Sequence, residues 1–173
     1  MTEHESIAKD AAAIREAGEE SNSRQYLSFF LGGQEYATDI LRVQEIKGWD
    51  TVTRVPYSPK YILGVINLRG AIVPVVDLRV RLALESAPFD SATVVFVVRV
   101  AGARGERIVG LVVDAVSDVY SFSAENIQPP PEAVGSLDQM FVQGLAKLED
   151  KLVIVLDIER LVISSVMGET KAA

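Results

Sequence analysis

From Tyr26 onward, apolar residues come in short runs rich in β-branched side chains, separated by turn residues at close intervals. That pattern predicts strands rather than helices. Residues 26–31, the pair Gly32-Gly33 and residues 36–46 read as a hairpin. Residues 52–59 read as extended, because Pro56 and Pro59 push the residues before them out of the helical region. A strong strand over 93–100, a flexible turn over 101–107 and a returning strand over 108–113 follow. Pro129-Pro130-Pro131 is a rigid connector, and 152–156 is a further apolar strand. Residues 1–24 are charged and Ala-rich, with Ile7, Ala11 and Ile14 at helical spacing. A helix between Glu5 and Ala17 and a frayed tail are both open there, since isolated helices of that length are marginal in water. Many short strands with frequent turns predict a barrel or sandwich.

The stretch 62–78 stands out. Its two β-branched runs are joined by Arg69-Gly70, which reads as a tight turn. The turn uses the glycine but has no need of Asn67 and Arg69 beside it. Shifted forward by 80 positions, the stretch lands on 142–158, matching Gly64 to Gly144, Leu68 to Leu148, Val73 to Val153, Val75 to Val155 and Asp77 to Asp157. Upstream, a shift of 73 pairs Val43 with Val116, Ile46 with Val119 and Pro56 with Pro129. The chain therefore reads as two copies of one β unit, about 25–90 and 91–165, with strands open to exchange between them.

Duplication separates structural features from functional ones. Asp77 and Asp157 each precede a short amphipathic stretch and read as helix caps. Ser58-Pro59 before Gly64 predicts a capped helical turn, and Ser136 with Gln139 a similar start. At the turn itself the copies differ: Asn67 faces Lys147, Arg69 faces Glu149 and Gly70 faces Asp150. The fold thus tolerates loss of the arginine, which frees Arg69 for function or for pairing with Glu45. Pro74 faces Ile154 and belongs on an edge or at a bulge, because proline cannot donate to a ladder. Glu45 faces Asp118, an acid in both copies.

Composition narrows the chemistry. Of 173 residues 49% are hydrophobic, enough for a packed core, yet no run approaches the ~18 apolar residues of a membrane span. The acidic N-terminus does not read as a secretory signal, and the absence of cysteine leaves the cytoplasm as the expected compartment. A net charge of −7 opposes nucleic acid and anionic membrane as partners, and the few aromatics oppose single-strand binding. With His4 the only histidine, zinc sites of the usual kind and histidine-activated nucleophiles are excluded. No phosphate-binding glycine loop occurs in the required context. An aspartate dyad from Asp77 and Asp157, one per copy, lacks the loop chemistry of aspartic proteases. No cofactor or metal is expected, which leaves a small-barrel binding module as the broad reading.

Four segments narrow it further: Asp-Ile-Leu-Arg-Val-Gln-Glu-Ile at 39–46, Gly-Val-Ile-Asn-Leu-Arg-Gly at 64–70, Val-Pro-Val-Val-Asp-Leu-Arg at 73–79 and Val-Gly-Leu-Val-Val-Asp-Ala-Val-Ser-Asp-Val at 109–119. Over about 25–162 the chain resembles the CheW family, the bacterial chemotaxis coupling proteins. The resemblance implies a mainly β fold of two five-stranded SH3/OB-like barrels with partly swapped strands and short helices. It implies a non-catalytic adaptor joining the cytoplasmic hairpin tip of chemoreceptors to the histidine kinase CheA, whose regulatory domain shares the fold. Carried over by motif, the receptor side comprises Val43, Glu45, Gly64, Asn67, Leu68 and Arg69, with Val116 and Val119 completing an apolar groove. Kinase contacts are expected at barrel ends, including the edge with Ile72, Val73 and Val75. Residues 1–24 stand outside the family pattern as an extension, 25–165 form the CheW-like domain and 166–173 a tail; the 103–107 turn is longer than the pattern requires.

Overall fold

The computed structural model describes residues 23–85, 87–102, 105–130 and 141–166. The helix weighed between Glu5 and Ala17, the Ser136/Gln139 cap and residues 167–173 lie outside these bounds. Eleven strands occur among the described residues: β1 Arg24–Leu31, β2 Gln34–Asp39, β3 Val43–Gly48, β4 Ile62–Leu68, β5 Ala71–Asp77, β6 Val94–Gly102, β7 Gly105–Val113, β8 Ala115–Phe122, β9 Ile127–Gln128, β10 Val142–Leu148 and β11 Lys151–Leu156. Two helices follow the long hairpins, α1 Leu78–Arg81 and α2 Ile158–Val166. Asp77 accepts from the Arg79 N–H, and Asp157 from the Arg160 N–H, so both aspartates cap helices as their sequence context predicts.

The strands form one sheet in the order β3-β6-β7-β5-β4 and another in the order β8-β1-β2-β11-β10-β9. The five-stranded barrels of the sequence reading are thus a five-stranded and a six-stranded sheet, the sixth strand being the two-residue β9. Each sheet draws strands from both halves of the chain: β1 and β2 join the second sheet, β6 and β7 the first. The exchange is sealed by parallel pairing in both, Val75↔Gly110 and Ile154↔Tyr36.

Alternation explains how one strand serves two cores. On β6, Val94, Phe96, Val98 and Val100 face a cluster shared by both sheets, with Leu27, Phe29, Leu111 and Leu161. Val95 and Val97 point the other way, into the interior of the first sheet with Val73, Val75 and Val112. The second sheet has its own interior of Tyr26, Ala37, Phe122, Ala146, Val153 and Val155.

Two local expectations fail for physical reasons. Residues 36–46 do not form one strand: Asp39 accepts from the Leu41 N–H and caps a 3-10 turn over Ile40–Arg42, after which the chain crosses to the other sheet. Of the Ser58-Pro59 helical turn only a single hydrogen-bonded turn over 59–62 forms, and it does not run on to Gly64. Ser58 donates to the Val55 carbonyl, Ile62 N–H bonds to Pro59, and β4 starts at once because Ile62 is needed opposite Val76. Pro74 behaves as expected. It pairs with Val65 on β4, while the pairing of β5 with β7 begins only at Val75, so proline sits on a local edge.

Candidate binding surface

β3 and β8 are edge strands of different sheets, and each is bulged at the same place. Between Val43 and Glu45 the register against β6 slips by one, because Val43 faces Val98 and Glu45 faces Val97. Between Val116 and Val119 on β8, two residues, Ser117 and Asp118, oppose the single Ser28 on β1. A bulge turns odd spacing into same-face spacing. Val43 and Ile46, like Val116 and Val119, therefore point to one side despite lying three apart, and all four join the shared cluster. Ser28 fills the β8 bulge: its hydroxyl accepts from the Asp118 N–H and donates to the Asp118 carbonyl. Val43 is buried and Val116 and Val119 are half-buried, all three against the cluster shared by the two sheets.

The rim carries charge. Arg69 and Gly70 form the two-residue loop of the β4–β5 hairpin, both at positive φ, 51° and 92°. Glu149, at the matching place of the β10–β11 hairpin, has φ 52°, so the backbone there is set by the turn and not by the side chain. Arg69 donates to the Glu45 carboxylate on β3 at 2.5 Å. β3 and β4 are the two outer strands of the five-stranded sheet, so this bond ties its opposite edges together. The hydrogen bond from Arg69 to Glu45, and the carboxylate's charge, hold the guanidinium pKa above its ordinary value. Arg69 is well exposed, and such pairs contribute little to stability. What it fixes is the position of Glu45.

The remaining motif residues divide. Asn67 is exposed and its side-chain oxygen accepts from the Gly70 N–H, closing the turn. Leu68 is buried with Val73 and Val97 inside the first sheet and does not line the groove. Gly64 is buried; a Cβ there would lie 2.3 Å from the Thr53 carbonyl oxygen, where the 52–59 segment crosses β4 through the Thr53↔Val65 bridge. Gly144 is required for the same reason, beneath Ile127 and Gln128. Of the three residues expected to meet the kinase, only Ile72 offers a side chain, at 67% exposure. Val73 and Val75 are 1% and 0% exposed, because period two turns both into the interior. Beside Ile72 a shallow cleft opens where β5 and β7 separate, lined by Ala71–Pro74 and Glu106–Val109.

Two features escaped the sequence reading. Leu152, the counterpart of Ile72, is 53% exposed, and the shift of 80 could have flagged it. Glu35 on β2 is 5% exposed and takes hydrogen bonds from Lys151 and Tyr120, a contact no local motif announces. Burial alone would raise the Glu35 pKa, but its hydrogen bonds, led by that of Lys151, reverse the sign and hold it below the ordinary value. No cluster of metal-ligating side chains occurs among the described residues, and none of their helices is long and apolar enough to cross a membrane.

Comparison with known proteins gives a consistent set. Residues 25–166 match the family model of the CheW-like domain. Chemotaxis protein CheW of Klebsiella aerogenes is 45% identical over 157 residues, 91% of this chain and 92% of the relative. Chemotaxis protein CheW of Rhizobium meliloti is 38% identical over 139 residues, 80% of this chain and 87% of the relative. The crystal structure of scaffolding protein TtCheW from Thermoanaerobacter tengcongensis superposes with a TM-score of 0.72 at 34% identity, covering 80% of this chain and 91% of that one.

Proposed function

This chain belongs to the CheW family of chemotaxis proteins, and from that membership we propose that its β3–β8 groove receives the helical hairpin tip of a chemoreceptor while the Ile72 end of the five-stranded sheet docks the histidine kinase CheA. The chain is a chemotaxis coupling adaptor from a family of scaffold proteins. The observation that supports the receptor reading is that two bulged edge strands, one from each sheet, send valines to one apolar cluster. An amphipathic helix lays its apolar face into such a groove, here against Val43, Val116 and Val119. Glu45 stands on the rim, already oriented by Arg69 in the free protein, so that little ordering remains for binding. Gly64, Asn67 and Leu68 act from below, shaping the hairpin that carries Arg69. Ile72 and the cleft beside it supply an apolar anchor and exposed backbone for a domain of the same fold. The protein works without catalysis in the cytoplasm, recruited to receptor clusters at the inner face of the membrane. Receptor states that hold the adaptor differently against the kinase shift kinase activity.

The test mixes the protein with a receptor cytoplasmic fragment and CheA. An adaptor co-sediments with both and raises kinase activity, and Arg69→Glu keeps its fold, since Glu149 already occupies that backbone geometry, while binding the fragment about tenfold more weakly. Turnover of ATP or peptide by the protein alone, or an unfolded Arg69→Glu by circular dichroism, contradicts this reading.

A further inference from the structure

The Arg69–Glu45 tie has a counterpart in the second copy, built from different residues. In the first copy the tip of the β4–β5 hairpin reaches the groove strand β3 directly. In the second, Lys151 opens β11 beside the tip of the β10–β11 hairpin and bonds Glu35 Oε1 at 2.8 Å. Glu35 Oε2 accepts from the hydroxyl of Tyr120 at 2.8 Å, and Lys151 Nζ lies 3.1 Å from that hydroxyl. Tyr120 is on β8, next to Val119. The two side chains point to opposite faces: Val119 to the shared cluster under the groove, Tyr120 to the interior of the second sheet, where its ring packs on Phe122. The triad therefore grips β8 from behind, at the point where the bulge at Ser117 and Asp118 interrupts its ladder with β1.

Sheet pairing alone does not fix a bulged edge strand, because the extra residue leaves the ladder. We infer that Lys151, Glu35 and Tyr120 are positioning residues for the β8 wall of the groove, doing for Val116 and Val119 what Arg69 does for β3. This rests on the receptor reading of the groove. Glu35 is nearly closed to solvent and so acts through β8 and not by touching the partner, while the Lys151 side chain is half exposed at the hairpin tip.

Tyr120→Phe removes one hydroxyl and keeps the ring, and Glu35→Gln removes the charge. Each is measured for affinity toward a receptor cytoplasmic fragment, for affinity toward the isolated CheA regulatory domain and for thermal midpoint, alongside Lys151→Arg and Arg69→Glu. The expected result is a loss of receptor affinity of about fivefold or more in Tyr120→Phe and Glu35→Gln, the low end of coupling between sites. Kinase-domain affinity, assigned to the far sheet, stays at the wild-type value, and Lys151→Arg retains receptor binding. Should Glu35→Gln fail to fold, Tyr120→Phe decides alone. Equal losses for receptor and kinase domain mean a merely structural triad and overturn the inference. So does wild-type receptor affinity in Tyr120→Phe while Arg69→Glu binds weakly. Wild-type affinity in both variants instead removes the groove reading beneath it.

Discussion

Gly64 and Arg69 lie five positions apart in one motif and do opposite kinds of work. Gly64 has no room for a side chain: the obstructing atom is a backbone oxygen of Thr53, which cannot swing away. Gly64→Ala therefore costs more than about 1 kcal/mol, measured as a lowered urea midpoint. Arg69 is exposed and its backbone geometry is shared with Glu149, so its loss shows in binding rather than stability. Titration adds a second test. Burial would raise the Asp114 pKa, but the paired hydrogen bonds from Arg79 and the bond from the Gly32 N–H hold it below its ordinary 3.8. A carboxyl held low in the folded state adds stability above its unfolded pKa and loses it as pH falls through the folded one. Glu35, also held low, acts with the same sign from its ordinary 4.5. Asp77 opposes them: burial raises its pKa, so its charged form is a cost at neutral pH that protonation relieves. Asp114→Asn flattens the acid limb of a stability–pH curve below about pH 4; a limb as steep as the wild type's contradicts the assignment.

At the scale of elements, period two and the turn residues placed most of the strands, and the 80-residue shift exposed the paired hairpins β4–β5 and β10–β11 before any coordinates. The same comparison pairs Gly64 with Gly144 and leaves Arg69 in one copy only, yet the family motif put both on the receptor side, and only the Thr53 carbonyl above Gly64 shows its role to be structural. What stayed illegible was which sheet a strand would join. Nothing local to residues 36–46 reveals that Asp39 ends one strand and sends the next to the other sheet. Nor does the apolar run 72–76 say which of its residues faces out, because both faces of β5 are apolar. Ile72 is exposed because it points to the face opposite Val73 and Val75. The bulges of β3 and β8 were hidden too, although they alone bring Val43 and Ile46 to one face and Val116 and Val119 to one face. The exposed end of β5 carries its own prediction. Ile72→Asp retains the wild-type thermal midpoint, as its side chain packs on nothing buried, and weakens CheA regulatory-domain binding about tenfold in a pull-down or calorimetric titration. Unchanged kinase binding would move the docking surface elsewhere.

For the molecule as a whole, duplication with exchange makes neither sheet independent of the other. Helix α1 reaches the sheet-crossing link before β8 through Arg79 and Asp114, and α2 reaches the link before β3 through Glu159 and Arg42 at 3.3 Å. The two contacts sit at matching places with their charges reversed. The shared apolar cluster takes side chains from both edge strands, Val43 and Ile46 from β3 and Val116 and Val119 from β8. An adaptor needs a surface that is ordered before the partner arrives, and here ion pairs and bulges order it. The most direct measurement is receptor-fragment affinity in Arg69→Glu, Glu45→Arg and the double variant that exchanges the two charges. If Arg69 works by holding Glu45 on the groove rim, each single change weakens binding and the double variant binds no more weakly than Glu45→Arg alone. Wild-type affinity in folded single variants would contradict the account.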